Sequence, residues 1–258
     1  MSNSKKRIPF IAGNWKMNLT LNKVVPYLKQ LTGHLPKPDQ IETAIAASPL
    51  FLQTMIDYVR KHHLPLRVGA ENCYYKDSGA YTGEVSPKAL AEMGVHYVIV
   101  GHSERRKYFH ESDHFINQKI RAVLRNHMYP IVCCDETMGR LGSGKPSKWV
   151  VTQVISALQH VPADQASRVT IAYEPSWAIG TGHSASPDEA EEGCYLIRHT
   201  LSDIYSDAIA DRIRILYGGS VTPRNVSSLM KQTDIDGVLA GGSSLKPSTF
   251  LKLIKFRD

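Results

Sequence analysis

The sequence predicts an α/β fold, a closed (β/α)8 barrel that forms a single domain over residues 1–258. Eight short apolar runs alternate along the chain with segments whose apolar residues recur at helical spacing. No Ser/Gly-rich linker interrupts this alternation, which is typical of a parallel sheet. Eight such units within 258 residues favour a closed barrel over an open, doubly wound sheet.

The predicted strands are short and rich in apolar residues, as buried strands are. In chain order they span residues 8–12, 41–47, 66–70, 97–100, 129–134, 169–173, 213–217 and 238–240. The first strand is closed by Gly13. The sixth ends before Pro175, because proline has no backbone donor for a sheet interior.

The intervening helices are predicted from apolar spacing and from start signals. Helical spacing is seen over residues 21–31, 115–123 and 151–158. Ser48, Ser86 and Ser186 each precede a proline, which combines an N-cap side chain with the residue that best fits the first helical position. By the same reasoning, Thr222 is predicted to open the helix after strand seven.

Composition restricts the classes of partner. The net charge of +7 and the pI near 9.2 favour an anionic ligand. The basic residues do not gather into a stripe interleaved with aromatic residues, so nucleic-acid binding is not predicted. A small phosphorylated or carboxylated substrate fits the same charge. The four cysteines form no C-x-x-C pair and the histidines are scattered, so we expect no metal and no cofactor.

Neither a signal peptide nor a membrane-spanning segment is predicted. The basic residues Lys5, Lys6 and Arg7 lead directly into a short strand rather than into the long apolar segment of a signal peptide. No apolar stretch has the length needed to cross a bilayer. We therefore expect a cytoplasmic protein with no membrane partner.

Polar residues follow most of the predicted strands. In a (β/α)8 barrel the carboxyl ends of all strands meet at one mouth, where the active site lies. The residues that this places together are Asn14, Lys16, Glu71, Asn72, His102, Ser103, Glu104, Glu136, Glu174, Gly218 to Ser220 and Gly241 to Ser243.

Glu174 stands where the sixth strand leaves the sheet. The segment after it contains Trp177 and Ile179, which can be buried, and Gly180 and Gly182, which let the backbone bend. A carboxylate beside an apolar loop that can close over it resembles a catalytic base under a lid. The alternative is a surface glutamate next to an ordinary connection.

Other residues predicted at the mouth suggest what the base acts on. Successive strands seven and eight are each followed by Gly-Gly-Ser, a pattern suited to binding phosphate through backbone amides. Lys16 adds a positive charge, and Trp15 is expected to turn it inward. His102 precedes a polar run that reads as a helix start, which disfavours the cationic ring and leaves a neutral hydrogen-bond donor.

This set of side chains suggests proton transfer next to a carbonyl group. Glu174 would remove a carbon-bound proton, while His102 and Lys16 stabilise the oxygen charge of an enediolate. The sequence offers no Ser or Cys nucleophile with a base partner and no fingerprint for a hydride-carrying cofactor.

Six motifs distributed over nearly the whole chain resemble the triosephosphate isomerase family. They are GNWKMN at 13–18, GAYTGE at 79–84, VGHSERR at 100–106, AYEPSWAIGTG at 172–182, YGGSV at 217–221 and DGVLAGGSSL at 236–245. The resemblance implies a TIM barrel and an aldose–ketose isomerase of glycolysis and gluconeogenesis. This enzyme would interconvert glyceraldehyde 3-phosphate and dihydroxyacetone phosphate.

The resemblance also implies individual roles. Glu174 would be the base, His102 the electrophile, and Glu104 a support behind them. Substrate oxygens and charge would be contacted by Asn14 and Lys16, and phosphate would be held by backbone groups of Gly180, Ser220, Gly241 and Gly242. Residues 175–183 would form a closing loop. The family is dimeric, so the resemblance implies a homodimer with Thr82 in a loop that enters the neighbouring subunit's site.

The chain departs from the family pattern at several positions. Ser176 and His183 replace a usual Val and Lys at the loop hinges, Asp135 a usual Gly, and Glu71 a usual Gln. The segment 138–141 lacks a common Arg-Glu element. An alternative is therefore a paralogue that isomerises a four-carbon ketose or aldose phosphate, such as erythrulose phosphate. A protein that binds phosphate without turnover is another, although binding alone needs no base.

Overall fold

The structure, a computed structural model, describes residues 7–136, 148–175 and 185–257. Eight parallel strands close into a barrel in which each strand pairs with its sequence neighbours and β1 pairs with β8. The strands are β1 (Phe10–Asn14), β2 (Glu42–Ala47), β3 (Arg67–Ala70), β4 (Tyr97–Val100), β5 (Tyr129–Glu136), β6 (Thr170–Pro175), β7 (Arg214–Tyr217) and β8 (Gly237–Ala240). The predicted (β/α)8 barrel is confirmed, and both ends of every strand lie within two residues of their predicted positions.

Helices cover the outside of the barrel. Those in the first half are α1 (Leu21–Leu31), α2 (Pro49–Lys61), α3 (Pro87–Met93), α4 (Ser103–Phe109) and α5 (Asp113–Arg125). The second half contributes α6 (Lys148–Leu158), α7 (Ala163–Ala166), α8 (Pro187–Ile204), α9 (Asp207–Ala210), α10 (Val226–Leu229), a 3-10 turn (Gly242–Ser244) and α11 (Pro247–Ile254). None of the described helices has the length and apolarity that crossing a membrane requires.

The predicted helix starts are confirmed at the three Ser-Pro pairs. The side chains of Ser48, Ser86 and Ser186 each accept a hydrogen bond from a first-turn amide, and Ser186 forms a full capping box with Glu189. The start predicted at Thr222 is wrong. Its amide donates to Asn225 Oδ1 at 2.8 Å, which forms a turn, and α10 begins only at Val226.

The ends of β5 and β6 extend past their predicted limits. Asp135 pairs in register with Glu174, and Glu136 with Pro175. Pro175 can belong to the strand because it is the last residue and no further ladder donor is needed there. The carboxylate of Glu174 therefore lies on the strand itself, held by the sheet rather than by a loop.

The core has two layers. Alternate strand residues fill the barrel interior, including Phe10, Tyr97, Ile131 and Leu216, while the others pack between barrel and helices. Small residues at Ala44, Ala46 and Ala172 leave room for the larger ones opposite. The packed interior holds the strands in place, so the residues at their carboxyl ends are held rigidly as well.

Candidate active site

A cavity of about 380 Å³ opens at the carboxyl ends of the strands. Its walls come from the ends of β1, β4, β6, β7 and β8. The lining residues are Asn14, Lys16, His102, Glu174, Gly218, Gly219, Ser220, Val221, Thr222, Leu239, Gly241, Gly242 and Ser243. Residues from distant parts of the sequence thus share one cavity, as the strand-end pattern predicts.

Glu174 is almost completely buried, with 1% of its surface exposed. Its Oε1 lies 2.9 Å from His102 Nε2, and its Oε2 accepts a hydrogen bond from the Ser103 amide at 2.9 Å. Burial raises the pKa of Glu174, but the His102 ring and the Ser103 amide lower it, so that the pKa lies below its ordinary value. The carboxylate is therefore ionised at neutral pH and can accept a proton.

His102 caps the N-terminus of α4. Its Nδ1 accepts a hydrogen bond from the Glu104 amide at 3.2 Å, so the ring proton resides on Nε2 and points to Glu174. Burial lowers the pKa of His102, but the charge and the hydrogen bond of the Glu174 carboxylate, together with the charge of Glu104, leave the pKa above its usual value in this contact. The sequence predicts a neutral ring from the helix start, and the raised pKa runs against that prediction in this contact, because the Glu174 carboxylate lies beside the ring. Moving Glu174 away would remove the main charge that favours the cation.

Lys16 adopts a left-handed backbone conformation with φ of 54°, which is uncommon outside glycine. Its amide donates to Asn14 Oδ1 at 3.1 Å, and the preceding Trp15 is fully buried with its ring edge on Tyr27. These contacts turn the Lys16 side chain towards the cavity, in the direction that the sequence predicts. Strain of this kind is found where a side chain must be aimed at a ligand.

Glu104 is the partner of the Lys16 ammonium group. Lys16 Nζ lies 2.8 Å from Glu104 Oε1, and the other carboxylate oxygen is 3.5 Å from His102 Nδ1. Glu104 is absent from the cavity lining, so it reaches the site through Lys16 rather than directly.

The glycine-rich loops after β7 and β8 form one wall of the cavity. Ser243 Oγ donates to the Val221 carbonyl at 2.6 Å, which ties the two loops together. Asn225 Nδ2 donates to the Ser220 carbonyl at 2.9 Å within the loop after β7. Amides at the start of the 3-10 turn have no acceptor within that turn. A Cβ at Gly241 would stand 3.3 Å from Lys16 Cε, so the lysine lies directly against this wall. Backbone donors and a cation therefore converge on one place, as a phosphate requires.

Three predictions about the loop after β6 concern residues that the structure does not describe. Gly180, Ser176 and His183 lie outside the described residues, as does nearly all of the predicted closing segment 175–183. The segment 138–141 after β5 lies outside them too.

Glu136 does not belong to the mouth, so its predicted place there is wrong. The strand continues through it, and its fully buried carboxylate accepts a hydrogen bond from the Tyr173 hydroxyl at 2.8 Å on the outer face of the barrel. Alternation along β5 explains this, since Ile131 and Cys133 face the barrel interior, whereas Val132 and Cys134, and with them Glu136, face outward.

Two features of the site were missed from the sequence. The Ser103 amide binds Glu174, which follows once His102 is recognised as an N-cap with a free amide beyond it. Asn225 organises the loop after β7, because its Oδ1 accepts from the Thr222 amide and its Nδ2 donates to the Ser220 carbonyl, and the Thr-x-x-Asn spacing is the signal in the sequence.

Glu71 lies beside the site without lining the cavity. Its Oε1 is buried and has no hydrogen-bond partner among the described residues. Burial raises the pKa of Glu71 to about 8, although the Lys16 backbone and the His102 ring lower it. The carboxyl group is therefore largely protonated at neutral pH.

Thr82, which the resemblance places at a subunit interface, is exposed in the connection between β3 and α3.

Comparison with known proteins gives consistent results. A family model described as triosephosphate isomerase matches residues 9–257. A protein of Lactiplantibacillus plantarum with that name is 49% identical over 252 residues, covering 98% of this chain and 99% of its own. Its namesake in Latilactobacillus sakei is 48% identical over 98% of this chain and 100% of its own. The one in Pediococcus pentosaceus is 47% identical over 97% and 99%.

Proposed function

Because the chain belongs to the triosephosphate isomerase family, we propose a mechanism in which Glu174 shuttles a carbon-bound proton between the two reacting carbons of a triose phosphate. The chain is an isomerase that interconverts glyceraldehyde 3-phosphate and dihydroxyacetone phosphate. Neither the comparisons nor the residues described at the site favour a four-carbon substrate.

The observation that carries this proposal is the pair formed by Glu174 and His102. An ionised, buried carboxylate supplies the base, and an imidazole with its proton fixed on Nε2 supplies the donor for the substrate oxygen. Both groups face the cavity. The two functions that enediolate chemistry needs are thus present at adjacent positions.

The steps follow from these positions. Glu174 removes the proton from the carbon next to the carbonyl, and the electron pair moves to the carbonyl oxygen, giving an enediolate. His102 Nε2–H and the Lys16 ammonium group stabilise that oxygen charge. The hydroxyl proton of the neighbouring carbon is then transferred to the former carbonyl oxygen, relayed by His102 Nε2. The protonated carboxyl group of Glu174 returns its proton to that neighbouring carbon as its oxygen becomes the new carbonyl, which completes the isomerisation. No net oxidation occurs and no cofactor is consumed.

Substrate binding is assigned to the opposite wall. Backbone amides of Ser220, Gly241 and Gly242, together with that of Gly180, would hold the phosphate dianion, with Lys16 supplying charge between phosphate and carbonyl. Asn14 supports Lys16 through its amide and faces the cavity. Glu104 would position the ammonium group through the 2.8 Å contact.

Isomerisation in D2O tests the proton-transfer route. An enediolate whose proton resides on Glu174 exchanges in part with solvent, so the product is expected to carry deuterium at the newly protonated carbon. Proton NMR of the product measures this. Product free of solvent deuterium would instead indicate direct hydrogen transfer between the carbons.

We further propose that the chain is a single domain that assembles as a homodimer in the cytoplasm, with the Thr82 loop at the interface. Support for assembly comes from Met17, an apolar side chain that is 99% exposed, and from the exposed Tyr81 next to Thr82. Four cysteines that are buried and free suit a reducing compartment.

A further inference from the structure

Asp135 is a buried carboxylate at the mouth end of β5, with 6% of its surface exposed. It stands directly beside Glu174 in the strand register. A buried carboxylate is costly unless it is hydrogen bonded or charge-paired. Its contacts therefore indicate its role.

Gln153 of α6 holds Asp135 from outside the barrel. Gln153 Oε1 accepts the Asp135 amide, and Gln153 Nε2 donates to both the main-chain and the side-chain oxygen of Asp135, each at 3.0 Å. Gln153 is itself fully buried. The side chain of Asp135 is thus fixed in one orientation.

Arg106 of α4 faces the same carboxylate. Its Nε lies 3.7 Å from Asp135 Oδ1 and donates to the Gly101 carbonyl at 2.9 Å, while another nitrogen donates to the Cys133 carbonyl at 3.3 Å. Asp113 pairs with its remaining nitrogen. Arg106 therefore links the end of β5 to the turn that follows β4, and Asp135 provides the charge beside it on the strand.

That turn contains the imidazole. Gly101 has φ of +75°, and a Cβ there would lie 3.1 Å from Ile116, so the turn fits closely in its place. His102 follows immediately and donates from Nε2 to Glu174. A small displacement of the Gly101 carbonyl would change the direction of that N–H group.

We propose that Asp135, held in place by Gln153, is a positioning residue for His102 that acts through Arg106 on the turn between β4 and α4. The proposal rests on the role assigned to His102 under the proposed function. Asp135 touches no reacting atom, so its effect is on the placement of the Nε2–H donor, which matters in the transition state more than in substrate binding.

Replacement of Asp135 tests this. Asp135→Gly is expected to lower kcat about tenfold with KM within about twofold of the parent, because only alignment is lost. Asp135→Asn retains an oxygen that can accept from Gln153 Nε2 and face Arg106, although without the charge, and should recover kcat to within about threefold of the parent. Asp39→Gly, in an exposed turn, is the matched control and should leave both constants unchanged.

Nitrogen-15 NMR measures the chemical shift of His102 Nε2, which would not change if Asp135 only stabilised the fold. The Nε2 resonance should shift in Asp135→Gly and stay near its parental position in Asp135→Asn. If Asp135→Gly does not fold, Gln153→Met removes the same hydrogen bonds and should show the same kcat loss. A kcat within twofold of the parent, or a kcat loss without any change in the His102 resonance, would overturn the proposal.

Failure of this inference can be separated from failure of the proposed function. His102→Asn should lose most activity if the imidazole is the donor. High activity in His102→Asn contradicts the proposed function, whereas a large loss there with none in Asp135→Gly contradicts only the positioning role.

Discussion

His102 Nε2 lies 2.9 Å from Glu174 Oε1, so the donor and the base of the proposed mechanism form a hydrogen bond with each other. A carbonyl oxygen bound in the cavity needs the same Nε2 hydrogen. Glu174 must therefore turn away from His102 to reach a substrate carbon. Gly218 leaves the room beside it, because a Cβ there would come within 2.9 Å of Glu174 Cγ. Because the Glu174 carboxylate raises the pKa of His102, the position of the base affects the charge of the imidazole ring.

Glu174→Gln is expected to lower kcat by about 10³-fold or more, because the amide cannot accept the proton while the phosphate contacts remain. The affinity for a phosphorylated enediolate mimic should fall far less than turnover. Steady-state kinetics and calorimetric titration measure the two quantities. Near-parental kcat in this variant would remove Glu174 from the role of base.

Lys16→Met is expected to reduce kcat/KM by about 10²-fold or more, since it removes the ammonium group that lies against the Gly241 wall. Lys252→Met, at an exposed position of α11, is the matched control and should change kcat/KM less than twofold. The kcat/KM of Glu104→Gln should lie between the values of the two lysine variants, because this substitution disturbs only the position of Lys16. Equal losses at Lys16 and Lys252 would point to a diffuse basic field instead of a site.

Thr82→Arg is expected to weaken dimerisation by about tenfold or more, because a buried unpaired charge at the proposed interface is costly. Activity should decline with dissociation. Sedimentation velocity across a concentration series measures the effect, and Thr152→Arg, at an exposed position of α6, is the control. A parent chain that sediments as a fully active monomer would contradict the proposed assembly.

The barrel was predictable because its signals are local. Buried parallel strands read as apolar runs, and Ser-Pro pairs mark helix starts whatever surrounds them. The failure at Glu136 has a physical cause, since the prediction ended strand five at Cys134. Continuing the alternation of β5 for two more residues places Glu136 on the outward side, with Val132 and Cys134.

The site was predictable in its residue types but not in its contacts. The ends of parallel strands meet in space, so Lys16, His102 and Glu174 were expected at one mouth. The left-handed backbone of Lys16 and the hydrogen bonds of Asp135 with Gln153 depend on tertiary packing. A single sequence contains no local signal for such contacts.

Glu71 leads to a prediction about pH and stability. Its pKa is about 8 in the folded protein against an ordinary value of 4.5, so between these values the folded chain binds a proton that the unfolded chain has lost. Stability contributed by this group is complete below pH 4.5 and declines as the pH rises towards 8. The cause is burial of an Oε1 atom that has no partner among the described residues.

Glu71→Gln should therefore stabilise the fold, and more so at high pH, because the amide fills the same space without ionising. We expect the free energy of unfolding to rise by about 1–3 kcal/mol at pH 8.5 and by much less at pH 5. The rise at pH 8.5 is smaller than the pKa shift alone would give, because the side chain is partly exposed to solvent. Calorimetric unfolding of parent and variant across this range measures the difference. Glu92→Gln, on the exposed face of α3, is the control and should show no such trend. A Glu71→Gln gain that is independent of pH would mean that Glu71 does not titrate within this window.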